Sequence, residues 1–355
     1  MKNQYIGDIG DYGKYGLLRF LAERGIKIGI NWYLTENDGS NDGGFTYYLK
    51  NKDDSDKDYD PIVYFELKRI VEKYERDQKD IRMIEVADLI PDALFFNDQV
   101  DSNHTDPQER ARARYLWYYR SKLALKDAEL VFADPDNGVS YTKTSRNKGC
   151  EKFILPEEIA QYYYDGKDVV FYCHKGRRKD EAWERTKVQI KDYVCDARLF
   201  VLTFHRGTQR SYIFVVHPEH ADRYEVLLTE FLSTLWGQEQ KAQKAPFTLE
   251  TVEENATEKA TPEQCRRWAV LNYFQKAFPT KQEKELILSR MTDEQIDKLT
   301  EAGANVHGKS FYASFKKKGT GFAAPTIGVV CPKDTSVVHN DDGTITLVPP
   351  SDQTD

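Results

Sequence analysis

The chain has 355 residues, of which 40% are hydrophobic and 13% aromatic, and its formal net charge is −7. This composition supplies enough core material to exclude a wholly disordered chain, and the charge gives no support for a protein that coats nucleic acid non-specifically. At roughly 100–200 residues per domain, the length predicts one large domain and an appendage.

Cysteine usage and hydropathy predict a cytoplasmic protein. The five cysteines are an odd number without paired Cys-x-x-Cys spacing, so we expect neither a disulfide framework nor a zinc knuckle. Residues 1–10 are polar where a signal peptide needs an apolar run, and no segment offers about 18 consecutive apolar residues. We therefore expect no membrane partner.

Helices and strands are predicted to alternate along the first 236 residues, which we interpret as one domain. Apolar residues three and four apart predict helices, and short β-branched or aromatic runs predict strands. The predicted helices are residues 14–24, 61–74, 107–125, 156–164, 180–193 and 221–236. The predicted strands are residues 26–34, 81–86, 94–96, 130–133, 169–173, 198–204 and 212–216. Residues 39–60, rich in Gly, Asn and Asp, are interpreted as a flexible surface loop.

This alternation predicts an α/β fold, with a Rossmann-like, mostly parallel sheet that ends in an antiparallel hairpin. Residues 237–261 are polar and are interpreted as a linker. Residues 262–355 are expected to form a small C-terminal α+β appendage with a disordered tail. Its predicted elements are helices at 262–277 and 281–302 and short strands at 327–331 and 344–348.

The most informative motif is Asp-Pro-Asp-Asn-Gly at residues 134–138, directly after a predicted buried strand. In open α/β sheets, ligands bind outside the carboxyl ends of the strands. Asp134, Asp136 and Asn137 are therefore candidates for catalysis, with carboxylates that could accept from an amine or hold a cation. The other interpretation is an ordinary turn, because Asp-Pro and Asn-Gly are common turn dipeptides.

His174 follows another predicted strand and begins a basic run. Its imidazole suits acid–base chemistry, and Arg177 and Arg178 could bind a phosphate. The alternative is a solvated basic turn, although cations at a helix N-terminus oppose the helix dipole. Arg206 and Arg210, between the last two strands, could extend this positive rim or could simply be turn residues.

Glycine recurs at positions 7, 10, 13 and 16, before or at the start of the first predicted helix. Backbone amides of residues 7–14 and the Lys14 ammonium could cradle an anionic or ribose-bearing ligand. The stretch is not a dinucleotide fingerprint, because no strand precedes it. The sequence has no Walker A, H-E-x-x-H, G-x-S-x-G or kinase motif.

The order of elements resembles the class I S-adenosylmethionine-dependent methyltransferases, and the layout is similar to the adenine-N6 methyltransferases of large-subunit ribosomal RNA. Their G-N-x-x-D-x-x-K-H stretch is matched loosely by residues 10–14, their acidic glycine loop by residues 36–39, and their D-P-P-Y motif by residues 134–137. Residues 1–220 also resemble a bacterial group that shares G-D-I-x-D-Y-G-K-Y-G-L-L-R and D-P-D-N-G, a match that implies no activity.

The methyltransferase resemblance implies S-adenosylmethionine as cofactor and a nucleic acid or another phosphate-bearing acceptor. The residues that it implies for cofactor binding are Tyr12, Lys14, Glu36, Asp38 and Gly39. It implies that Asp134 lies beside the methyl donor and that Asp136, Asn137 and His174 orient the acceptor. The residues implied for the substrate phosphate are Arg177, Arg178, Arg206 and Arg210. Asp136 and Asn137 stand where the D-P-P-Y motif has proline and an aromatic residue.

Two other functions fit the same residues. In a metal-dependent phosphodiesterase or nuclease, Asp134 and Asp136 would hold Mg²⁺ and His174 would act as base or stabilise charge. In a non-catalytic protein, the first domain would sense a nucleotide and the C-terminal region would contact a protein partner. The enzyme hypotheses require Asp38, Asp134 and His174 to lie along one edge of the sheet.

Overall fold

The computed structural model describes residues 1–51, 56–100, 103–194, 196–239, 244–252, 336–339 and 345–348. The helices among them are α1 Ile9–Glu23, α2 Pro61–Lys73, α3 Arg82–Val86, α4 Pro107–Ala124, α5 Pro156–Tyr164, α6 Asp180–Val188 and α7 Ala221–Ser233. The strands are β1 Ile28–Asn31, β2 Leu94–Phe96, β3 Leu130–Ala133, β4 Asp168–Cys173, β5 Arg198–Phe204, β6 Arg210–Val216, β7 Phe247–Val252, β8 Ser336–His339 and β9 Ile345–Val348.

Seven of these strands form one mixed sheet in the order β2-β1-β3-β4-β6-β5-β7, and β8 pairs with β9 in a separate ladder. β2, β1, β3 and β4 pair in parallel, whereas β6 is antiparallel to β4 and β5, and β7 is antiparallel to β5. The α/β fold with a Rossmann-like sheet and a closing antiparallel hairpin is thus confirmed, but only three of the six strand pairings are parallel, so the sheet is less parallel than predicted. The chain leaves β1 for β2 on one side and returns to β3 on the other, so the strand order reverses at β1.

Helices cover both faces of the sheet because its central strands are apolar on both sides. All four residues of β3 are buried. Leu130 and Phe132 lie in the core shared with α1, α2 and α7, while Val131 and Ala133 lie in the core shared with α4, α5 and α6. Parallel strands that are buried on both faces have continuous apolar sequences, which is why β3 could be recognised.

Two predicted elements are wrong. Residues 81–86, predicted as a strand, contain helix α3: Ile81 and Ile84, three residues apart, are buried, whereas Val86 is 85% exposed. A short apolar run does not by itself distinguish a strand from a helix. Residues 247–252, inside the predicted linker, form β7 at the edge of the sheet, with Phe247 buried and Leu249 packed against the core.

The predicted surface loop at 39–60 is partly core, which corrects its interpretation as flexible. Tyr48 and Leu49 are buried, and the Tyr48 ring stacks on Tyr12 with centroids 5.3 Å apart. The burial of Tyr48 holds this segment in place, although the Gly and Asn residues around it favour turns. Residues 52–55 lie outside the described residues.

Most of the C-terminal prediction lies outside the described residues, including the helices at 262–277 and 281–302 and the strand at 327–331. The strand predicted at 344–348 corresponds to β9, Ile345–Val348. In the part of the chain that the structure describes, no helix combines the length and apolarity needed to cross a membrane.

Helix α1 begins at Ile9, five residues earlier than predicted, so Gly10, Gly13 and Gly16 lie inside it. Residues three apart share one face of a helix. A Cβ at Gly13 would lie 2.8–3.0 Å from the Phe204 ring, and a Cβ at Gly16 would lie 2.6 Å from the nearest ring atom of Trp236. These glycines therefore allow α1 to approach the closing hairpin and the segment after α7.

Gly13→Ala should destabilise the protein, although Ala is favoured over Gly in helices by about 1 kcal/mol. The added methyl group would overlap the buried Phe204 ring. We expect a loss of about 1–3 kcal/mol in the free energy of unfolding, measured by urea denaturation. Combining the change with Phe204→Leu should restore part of the loss. A midpoint at or above that of the wild type would contradict this account of the glycine spacing.

Candidate functional site

A cleft of about 650 Å³ opens at the carboxyl edge of the sheet, next to the reversal of strand order at β1. This volume is typical of small-molecule sites, and the reversal is where open α/β sheets bind ligands. The lining comes from the N-terminus of α1, the loop after β1, the ends of β3 and β4, and the hairpin turn before β6. The predicted site residues that line it are Lys14, Asp134, Asp136, Asn137, His174 and Arg210.

Lys14 bridges two carboxylates on the floor of this cleft. Its Nζ lies 2.7 Å from Asp134 Oδ2 and 2.8 Å from Asp11 Oδ1, and all three side chains are at most 7% exposed. Burial lowers the pKa of Lys14, but the two carboxylates outweigh it and raise that pKa well above its ordinary value. Burial raises the pKa of Asp11 to about 6 despite the nearby ammonium. Lys14 is therefore a fixed cation rather than a base.

Asp136 is neutralised by the first two residues of the chain. Its Oδ1 lies 2.8 Å from the Met1 amino group, and its Oδ2 lies 2.7 Å from Lys2 Nζ and accepts from Thr35 Oγ1 at 2.9 Å. Burial raises the pKa of Asp136, but these two positive charges outweigh it and hold the pKa at about 2. The Met1 amino group also donates to the carbonyls of Tyr33 (3.2 Å) and Asp134 (2.8 Å).

The turn of the Asp-Pro-Asp-Asn-Gly motif depends on its last residue. Gly138 has φ +77°, and a Cβ there would lie 2.5 Å from Cys173 Sγ on β4. Both facts require glycine at this position. The backbone amide of Asn137 donates to the Lys152 carbonyl at 2.8 Å, and Asn137 lines the cleft.

Asp8 joins the start of α1 to the closing hairpin. It caps the helix by accepting from the Gly10 amide at 2.8 Å, and its second oxygen accepts from the Phe45 amide at 3.0 Å. Its carboxylate also forms an ion pair with Arg210. The backbone amides of residues 7–12 all donate to acceptors within the protein, so they are not free to form the anion cradle predicted at residues 7–14.

His174 is the half-buried imidazole of the cleft. Its Nδ1 lies 3.3 Å from the Tyr172 hydroxyl. Burial, together with the positive charges of Arg178 and Arg210, lowers its pKa below the ordinary value of 6.5. The imidazole is therefore neutral at neutral pH and can accept a proton.

Tyr12 lies in the core, which contradicts its predicted role in cofactor binding. Its ring packs against Tyr48 and Trp236, and its hydroxyl donates to the Asp56 carbonyl at 2.7 Å. Because α1 starts at Ile9, Tyr12 is inside the helix rather than in a loop.

Glu36, Asp38 and Gly39 also do not line the cleft. Gln4 holds their loop: its Nε2 donates to Asp38 Oδ1 at 3.0 Å, and its Oε1 accepts from the amides of Asp38 and Gly39 at 3.2 Å. Asp38 reaches the site only through Lys2, whose Nζ is 3.4 Å from it. The sequence pattern alone could not show that the Gln4 side chain forms hydrogen bonds to this loop.

Among the four arginines predicted to bind phosphate, only Arg210 lines the cleft. Arg177 is exposed, and Arg178 donates to backbone carbonyls of its own turn. Arg206 forms an ion pair with Asp56 at 2.6 Å, so it attaches the hairpin to the segment before α2. The positive rim predicted from the sequence therefore keeps only one of its four arginines at the cleft.

Sequence reasoning missed several residues that the cleft brings together. They are Met1, Tyr5, Asp8, Asp11, Phe45 and Tyr172. The sequence offered one signal for two of these residues. Asp8 and Asp11 are three residues apart and precede Lys14, and that spacing places side chains on the same face of a helix. Phe45 gave no such signal because the residues around it have a turn-forming composition.

No protein-family model matches this chain, and no match is found among the curated proteins. The chemistry of the site is therefore the evidence for its function.

Asp136→Asn should reduce stability, and the reduction should depend on pH. A carboxyl whose pKa is lowered in the folded state contributes stability above its ordinary pKa of 3.8, and this contribution is lost as the pH falls towards 2. We expect the difference in unfolding free energy between wild type and variant to shrink by about 1 kcal/mol from about pH 5 to about pH 3.

Urea denaturation across this range measures the difference. The same substitution at exposed Asp127 is the control. A difference that stays constant with pH would show that the Asp136 ion pairs do not stabilise the fold.

Proposed function

We propose that this chain is an S-adenosylmethionine-dependent methyltransferase-like enzyme that acts on a nucleic acid or another phosphate-bearing substrate in the carboxyl-edge cleft. The observation that carries the proposal is a set of three acceptors that together bind an ammonium group: the carbonyls of Tyr33 and Asp134 and the carboxylate of Asp136. They lie where the strand order reverses, which is the expected place for a cofactor in this fold.

These acceptors fit the cofactor because S-adenosylmethionine carries an α-ammonium group like that of Met1. Asp136 and the two carbonyls would hold this group, in competition with Met1 and Lys2. Asn41 and Asp42, which line the cleft in place of Glu36 and Asp38, offer oxygens to ribose hydroxyls. When bound, the cofactor supplies a methyl group on a positively charged sulfur.

His174 would take the proton that the acceptor loses as its nitrogen or oxygen gains the methyl group. Its depressed pKa keeps the imidazole in the neutral form that this role needs. Arg210, paired with Asp8, and Lys175, paired with exposed Asp180, line the same cleft, and their charges would orient a substrate phosphate. Asn137, next to them, would position the acceptor through its amide.

The Mg²⁺-dependent phosphodiesterase hypothesis has less support from the same contacts. Both carboxylates that would bind the metal are already paired with ammonium groups, Asp134 with Lys14 and Asp136 with Lys2 and Met1. A divalent ion held by both carboxylates would have to displace Lys14 as well as Met1 and Lys2, whereas the cofactor would exchange one ammonium group for another at Asp136 and leave Lys14 in place. The non-catalytic hypothesis predicts ligand binding without methyl transfer, and turnover assays separate it from the proposal.

The first test is binding of S-adenosylmethionine and its demethylated product by isothermal titration calorimetry. Because Lys2 competes for Asp136, Lys2→Ala should tighten binding roughly tenfold, or about 1.4 kcal/mol. Asp127→Asn, on the exposed surface, should leave affinity unchanged. Absence of binding by both the wild type and Lys2→Ala would refute the proposal.

The second test is methyl transfer from labelled S-adenosylmethionine to RNA and DNA. His174→Asn should lower kcat/KM by roughly 10²–10⁴-fold, the usual contribution of a general base, while cofactor binding persists. In the wild type, kcat/KM should fall in acid with an apparent pKa below 6.5, because protonated His174 accepts no proton.

His205→Asn is the matched control, because His205 hydrogen-bonds to Thr248 outside the cleft. If His174→Asn kept both the rate and the acid limb of the wild type, His174 would not be the base.

A further inference from the structure

A second cluster of ligating side chains lies at the opposite edge of the sheet from the cleft. Asp168 is the first residue of β4, whereas His174, in the cleft, follows the last. At about 3.3 Å per residue, the six residues of β4 separate the two places by about 20 Å. Any chemistry at Asp168 is therefore independent of the proposed methyl transfer.

Asp168 and two histidines converge there. Asp168 Oδ1 lies 3.0 Å from His217 Nδ1, and Asp168 Oδ2 lies 2.8 Å from His220 Nδ1. One ligand atom from each of the three residues lies within 4.8 Å of the others. A carboxylate oxygen and two imidazole nitrogens at such spacing match the donor set of a tetrahedral zinc site, with bonds of about 2.0–2.2 Å.

The local fold explains why these donors meet. β6 is antiparallel to β4, so the chain that leaves Val216 comes out beside Asp168. A 3-10 turn, Pro218–His220, follows at once, and residues three apart in a 3-10 turn lie on the same side. The His217 ring is also held by stacking on Tyr163, with centroids 3.9 Å apart and planes 2° from parallel.

The Asp168 carboxylate is the centre of this cluster. The carboxylate is fully buried, and it accepts the His217 backbone amide at 2.8 Å in addition to the two rings. A buried negative charge needs a cation beside it, which a protonated imidazole or a metal ion can supply. A divalent ion would neutralise it, and the His220 side chain, 37% exposed, leaves the cluster open to solvent.

We propose that Asp168, His217 and His220 form a binding site for a divalent transition metal of the zinc type, with a fourth position open to water. Imidazole and carboxylate donors suit zinc and its neighbours rather than Mg²⁺, which prefers an oxygen octahedron. The ion would join the turn before α7 to the start of β4. Bound there, the ion would stabilise the fold and would take no part in chemistry at the cleft.

The test uses the full-length protein after treatment with EDTA and desalting. Zn²⁺ should bind with a stoichiometry of one, and a hundredfold excess over Kd should raise the melting midpoint by roughly 5 °C, whereas Mg²⁺ should not. Co²⁺ in place of Zn²⁺ should produce the intense visible absorption of a four-coordinate site.

His220→Gln is the decisive variant, because glutamine can still donate a hydrogen bond to Asp168 but lacks the imidazole ligand. It should fold, lose the cobalt spectrum and bind Zn²⁺ at least about tenfold more weakly. The matched control, His205→Gln, removes a histidine from the hairpin end and should bind like the wild type.

Two results would overturn the metal site: no stoichiometric Zn²⁺ binding by the wild type, or equal Zn²⁺ binding by the wild type and His220→Gln. Either would leave a purely hydrogen-bonded cluster at Asp168. Because the readouts are metal binding and stability, they do not depend on whether the cleft transfers methyl groups.

Discussion

Two buried carboxylates at the end of β3 must be neutralised, and the arrangement of the carboxyl edge follows from this constraint. Lys14 pairs with Asp134, while Met1 and Lys2 pair with Asp136. Leaving either charge unpaired in the interior would cost several kcal/mol. The N-terminal residues and α1 are therefore held against β1 and β3.

That pairing also shapes what the cleft can do. Its acids are paired with ammonium groups, and the acceptors around the Met1 amino group are the basis of the proposed cofactor site. His174, kept neutral by burial and by nearby arginines, faces the same space. The proposed methyl transfer depends on these two features. At the other end of β4, Asp168 lacks a lysine or arginine among its described contacts and meets two histidines instead.

Part of the lining of the cleft could be predicted from the sequence because the fold constrains where strands end. Asp134, Asp136 and His174 each follow a parallel strand, and parallel strands bring their carboxyl ends to one edge. The predictions that placed Tyr12 and Arg206 in the site were wrong for a different reason. Whether a polar or aromatic side chain faces a cleft or the core depends on its partners, here Tyr48 and Asp56, which are distant in sequence.

The sequence by itself determined the α/β class, the alternation of helices and strands, the closing hairpin and the turn at residues 134–138, because these depend on local periodicity and turn chemistry. Only the tertiary structure decided that the N-terminal residues neutralise Asp136, that residues 247–252 extend the sheet, and that Asp168 meets His217 and His220. Those contacts join residues far apart along the chain. Their formation depends on burial and charge compensation in three dimensions, which no local pattern encodes.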